Sequence, residues 1–191
     1  AHRETAAKLA VQRSYDWSDA ALGKRVTSGQ EIAFVRDMLK LEIPNRTDLE
    51  IRLPDTVFDH RHDLDLGGVS VELHHVGGDH AADSVVMWVP GDGLLFLGDS
   101  WYQRLYAPVE HYTLTGLRAL VERLATFDVT AAIEGHSEAL LDGSGFRERL
   151  HELTRAADLV EKHGQGATKL AAGEDEREVV TFLLAGEGGQ S

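Results

Sequence analysis

An α/β domain, with a sheet layered against helices, is the fold class this 191-residue sequence predicts. Three observations predict it. Short strand-like runs alternate with helical segments along the chain. Two consecutive runs, "SVVMWVP" and "GLLFLGD", are almost wholly apolar, as in strands covered on both faces. Three later segments carry apolar residues at helical spacing. At 42% apolar residues the chain can furnish one core, and its length suits one domain.

In chain order, "RETAAKLAVQR" (3–13) has helical composition. A loop-like stretch, "SYDWSDAALGKRVT", separates it from "SGQEIAFVRDMLK", where Ser28 and Glu31 have capping-box spacing. Alternation at Leu49, Ile51 and Leu53 predicts a short strand between prolines. "FDHRHDLDLGGVSVELHHV" predicts a hairpin turning at Gly67-Gly68, and the turn "PGDG" joins the two apolar strands. Leu117, Leu120, Val121 and Leu124 form one helical face, followed by a short strand, "DVTAAIEGH". A long helix follows, with Ser144 as its cap and Gly164 as its stop. A last helix covers "EDEREVVTFLLA". The expected organisation is a single domain over 1–186 with a disordered tail at 187–191.

Charge and composition narrow the function. With 32 acidic and 19 basic residues the formal net charge is −13, which argues against binding nucleic acid or an anionic membrane. The absence of cysteine removes disulfides, thiolate nucleophiles and Cys-based metal sites. No apolar run approaches the ~18–20 residues of a membrane span, and the first residues lack a signal-peptide layout. The expectation is a soluble, cytoplasmic protein.

Ten histidines compete for functional roles. His151 and His163 lie on a predicted helix among charged residues and read as solvated. "HRHDLD" (60–65) looks like a chelating pair, but strand alternation puts His60 and His62 on a face with Phe58, Leu64 and Leu66, away from Asp63 and Asp65. His74 and His75 point to opposite faces. His80, Asp99 and His136 differ: each leaves a strand-like run next to glycine. Residues so placed can converge at the carboxyl rim of a sheet, where α/β folds keep their chemistry. Asp99 could equally be a turn residue, and His136 a helix cap.

The run "VELHHVGGDHAADSVVMWVPGDGLLFLGDS", with the later "AAIEGHSE", resembles the middle and end of a metallo-β-lactamase-fold hydrolase. The resemblance covers about residues 47–140. It implies an αββα sandwich with a dinuclear metal site at one edge. His80 would bind one metal, His136 the other, and Asp99 would bridge them. Two zinc ions are implied, and the same donors accept iron or manganese. A metal-bound hydroxide would attack a small ester, thioester or lactone. Aspartate at the bridging place is similar to the thioesterase, lactonase and nuclease branches rather than the true β-lactamases, which have Cys or Ser there. Asp83, Trp101 and Tyr102 fall beside this site and are candidates for shaping its pocket.

One departure matters. The family's H-x-H-x-D-H motif does not occur in this sequence, and "HRHDLD" is not a copy of it, because Leu64 and Asp65 stand where Asp and His belong. The sequence resembles the C-terminal two-thirds of such a hydrolase, without its N-terminal strands. Bare strand surface then favours self-association over a monomer. Enzymatic activity would depend on completion of the motif. The competing expectation is a truncated, non-catalytic relative that serves as a binding or assembly module.

Overall fold

The computed structural model describes residues 1–188. Their contacts divide the chain into two compact units, one of residues 1 and 3–57, the other of residue 2 and residues 58 onward.

The first unit holds three helices, α1 (Arg3–Gln12), α2 (Asp19–Thr27) and α3 (Ala33–Glu42). The sequence reading misses α2, because Ser14 to Ser18 look loop-like and the aromatics obscure the start. Ser18 is its cap, accepting from the Ala21 N–H. Arg25 is buried, with its guanidinium over the rings of Tyr15 and Trp17, at 4.6 and 5.2 Å from their centroids. The predicted capping box does not form. Ser28 instead ends α2, and α3 starts after Ile32 without a side-chain cap. The strand expected around Leu49–Leu53 is also absent. Those residues run without regular structure, since alternation alone does not supply a neighbouring strand to pair with.

The second unit carries the sheet, in order β1 (Arg61–Asp65), β2 (Ser70–His75), β3 (Val85–Val89), β4 (Leu94–Gly98), β5 (Ala131–Glu134) and β6 (Leu141–Asp142). The first four form an antiparallel meander. The β1–β2 turn closes with Leu66 N–H donating to the Val69 carbonyl, and Gly67 and Gly68 take φ of 78° and 120°. That is the hairpin the glycine pair predicts. Helix α4 (Leu114–Leu124) then crosses over, so that β5 lies parallel to β4, and β6 returns antiparallel. Helices α5 (Gly143–His163) and α6 (Glu174–Gly188) complete the unit. Asp142, not Ser144, caps α5, through the Gly145 N–H at 2.8 Å. Gly164 ends it at φ 51°. The predicted tail begins at Glu187, but α6 continues through Gly188; residues 189–191 lie outside the described part of the chain.

One core lies between the sheet and α4 and α5. Val86, Leu95, Leu97 and Ala132 meet Leu120, Leu124, Phe146 and Leu150 there. A second core joins the helices, with Leu117 and Leu153 against Val179, Val180 and Leu183. The other sheet face is less covered. Met87, Phe96 and Ile133 stand abreast on it, Met87 being 42% exposed. Apolar residues on both faces of β3 and β4 therefore do not mean that both faces are equally buried.

Candidate metal centre

The parallel pairing of β4 with β5 builds the site. A bulge after Phe96 puts Gly98 opposite Glu134, and the Gly135 N–H donates to the Gly98 carbonyl at 2.9 Å. Asp99 and His136 thus leave the two strands side by side at the same carboxyl edge. Gly98 takes φ 53°, a left-handed conformation that favours glycine, and so redirects the chain towards Asp99. At Gly135 the constraint is space: a Cβ would collide with Asp99 Oδ1 and sit 3.2 Å from its Cγ.

His80 reaches the same place from the loop after β2. Gly77 and Gly78 turn this loop with φ of 62° and 115°. Asp79 anchors it, accepting from the Thr113 N–H at 3.0 Å and the Thr113 hydroxyl at 2.8 Å. Thr113 in turn caps α4 through the Gly116 N–H. The loop is therefore fastened to the start of a packed helix.

Each oxygen of Asp99 faces a different imidazole. His80 Nε2 stands 3.6 Å from Oδ2, and His136 Nε2 stands 3.4 Å from Oδ1. His80 Nδ1 lies 3.3 Å from the Gln103 carbonyl oxygen. A carbonyl only accepts, so Nδ1 carries the hydrogen in this contact and Nε2 is the nitrogen turned to Asp99. His136 is less restrained, with its side chain 74% exposed.

Tyr102 packs against both imidazoles, with ring centroids 6.3 Å from His80 and 5.9 Å from His136. Its hydroxyl donates to Glu134 at 3.4 Å, and the Trp101 indole N–H donates to the same oxygen at 3.0 Å. Burial, followed by the negative charge of Glu134, holds the Tyr102 phenol above its ordinary range. Trp101 is buried and stacks on Phe146, so it belongs to the core as well as to the site wall. Sequence reasoning overlooks Glu134 because it reads as the last residue of a strand. It overlooks Asp79 because His80 beside it draws attention first.

The other histidines lie elsewhere. His62 stacks on Phe58, His74 bonds Glu72 at 2.8 Å, and His75 Nε2 approaches the Ala82 carbonyl at 2.7 Å while His2 stacks on its ring. No described contact links them to Asp99.

Whether this arrangement suits metal can be tested from donor separations. Two donors sharing a tetrahedral ion at ~2.1 Å lie about 3.4 Å apart. Both His–Asp99 separations meet that condition. However, the described residues hold no group of three or more metal-type side chains able to grip one ion. The residues present fit one side of a two-ion centre, with two donors for each ion. They do not complete it.

The sequence matches the model of the metallo-β-lactamase superfamily over residues 11–162. The chain belongs to this superfamily. Its members share a metal-dependent hydrolase-type fold, in keeping with the mixed sheet-and-helix architecture. Similar solved structures include a metallo-β-lactamase from Pontibacter korlensis (22% identity, TM-score 0.42, covering 72% of this chain and 66% of that one). The flavodiiron protein from Giardia intestinalis is another (18%, 0.43, 53% and 30%). A third is the inverting sec-alkylsulfatase Pisa1 from Pseudomonas sp. (13%, 0.45, 59% and 19%). The chain spans less than two thirds of the length of each. No curated protein matches the sequence. No helix of the described residues is long and apolar enough to cross a membrane.

Proposed function

We propose that this chain supplies one side of a two-metal hydrolase centre, in which His80 and His136 each hold one ion and Asp99 bridges the pair. The observation that supports this reading is the division of Asp99: one oxygen to each Nε2, at 3.6 and 3.4 Å. A carboxylate offers two oxygens and offsets the charge of two cations, and neutral imidazoles suit zinc. Remaining donors come from outside the described set, through further sequence or another chain.

When bound, such ions supply an activated water near neutral pH and polarise the group it attacks. The chain's own residues orient and exclude. The Gln103 carbonyl orients the His80 ring, Asp79 holds the loop, and Tyr102 packs on both imidazoles with its hydroxyl aimed at Glu134. A small ester, thioester or lactone is the proposed substrate class, and zinc the proposed metal. A small-molecule substrate suits the acidic surface, and a cytoplasmic location and self-association complete the reading.

The two-donor count favours a second reading, a non-catalytic binding or assembly module that has kept the three side chains. Metal binding at equilibrium separates the two. The whole chain is dialysed to equilibrium against zinc from micromolar to millimolar free concentration, beside Asp99→Ala. With two donors per ion, weak binding that approaches about two ions per chain, lost in the variant, is the expected result. No binding over that range, or equal binding by Asp99→Ala, overturns the hydrolase reading and leaves the module.

A further inference from the structure

A second recess lies away from the metal centre, between α4 and α5. It encloses about 460 Å³, within the range of small-molecule sites. Its floor is apolar, with Val129, Phe146 and Leu150 buried and Phe127 half-buried. Arg147 and His151 stand on its rim, one helical turn apart on the same face of α5.

The rim charge is what makes this recess more than a gap between helices. On α5, Arg149 pairs with Glu152 at 3.1 Å and Arg155 with Glu176 at 2.8 Å. Arg118 on α4 bridges Asp158 and Glu161. Arg147 makes no hydrogen bond or ion pair with any described residue, and its charge acts only at longer range on Asp142. His151 likewise has no described partner. In a chain of net charge −13, a guanidinium left open beside an apolar recess favours an anion over a cation. Asp128 also lines the recess, and its carboxylate is the group that an anionic head must avoid.

We infer that the α4–α5 recess is a binding site for a small amphiphilic monoanion, its apolar body on Phe127, Phe146 and Leu150 and its carboxylate or sulfonate on Arg147 and His151. A planar guanidinium receives a carboxylate through two parallel hydrogen bonds, and the imidazole adds a third donor. The inference does not rest on the hydrolase reading, because none of these residues touches His80, Asp99 or His136 in any described contact.

Octanoate is the probe, added at millimolar concentration to the isotope-labelled whole chain and followed by amide shifts in two-dimensional NMR. Saturable shifts confined to 126–129 and 146–154 are expected. Arg147→Glu combined with His151→Ala, both at exposed positions, should weaken binding by about tenfold or more, as expected from losing charge-assisted bonds. Octylammonium should bind more weakly than octanoate. Ala125→Trp, which fills the recess from α4, should abolish the shifts while leaving the circular dichroism spectrum unchanged. No shifts, shifts elsewhere such as on the open sheet face, equal binding by the double variant, or equal binding of octylammonium would each overturn the assignment. So would recess shifts that follow protein concentration without octanoate, which would mean that a second copy occupies it.

Discussion

Replacement of Glu176 by glutamine tests how the start of α6 is held. Glu176 is 3% exposed and reaches back over the first turn of its helix, in the manner of the second half of a capping box. One oxygen accepts from the Ala172 N–H at 2.5 Å and the other from Arg155 Nε at 2.8 Å. The Arg155 side chain is 53% exposed, so this ion pair is screened and contributes at most about 1 kcal/mol. The buried bond from Ala172 to a charged acceptor carries more, about 1.5–3 kcal/mol. Glutamine keeps one acceptor, but its NH₂ must then face a donor. The expected cost at neutral pH is therefore about 2 kcal/mol, a sizeable part of a typical domain stability of about 5–15 kcal/mol.

The cost should depend on pH. Burial alone would raise the Glu176 carboxyl, but the Ala172 N–H and Arg155 outweigh it, and the folded-state value lies below the ordinary one. A lowered carboxyl contributes its full stability above the unfolded-state value of about 4.3 and loses it as pH falls through the folded-state value. Urea unfolding followed by circular dichroism, with wild type and Glu176→Gln compared at pH 7 and about pH 3, reads this directly. The gap should be widest at pH 7 and shrink in acid, where wild type also carries a neutral side chain. A gap that stays constant with pH, or no gap at pH 7, refutes the reasoning.

Two further substitutions address the candidate centre. Thr113→Ala removes both the α4 cap and the hydroxyl that fastens Asp79; a loss of about 1–2 kcal/mol in chemical denaturation should accompany broadened NMR signals from residues 77–81, and an unaltered loop would contradict the anchoring role. Gly135→Ala drives a methyl into Asp99 Oδ1; a destabilisation of about 1–3 kcal/mol and displaced His136 ring resonances are expected, and wild-type His136 shifts would show that the strand end gives way instead.

Much of the second unit was legible in the sequence because its signals are local. The glycine pair at 67–68, the apolar runs of β3 and β4, the spacing of Leu117, Leu120 and Leu124, and Gly164 after α5 each act within a few residues. The family was legible too, since the pieces that carry the resemblance lie within the matched residues 11–162. The first unit read less well. α2 was hidden behind a polar, aromatic start, and alternation at 49–53 promised a strand for which the chain provides no partner.

The sequence by itself determined the residue types at the candidate centre and the turns that free them: two imidazoles, one carboxylate, and a glycine within two residues of each. Only the tertiary structure decided that they meet. The crossover through α4 makes β4 and β5 parallel, the bulge at Gly98 sets their ends abreast, and the missing side chain of Gly135 leaves room for the Asp99 carboxylate. It also decided that Glu134 serves Trp101 and Tyr102, and that one face of the sheet is packed more deeply than the other. Hydrophobic period and turn preference are properties of neighbours along the chain. Which oxygen faces which nitrogen depends on strand pairing between residues dozens of positions apart, and that is fixed by packing.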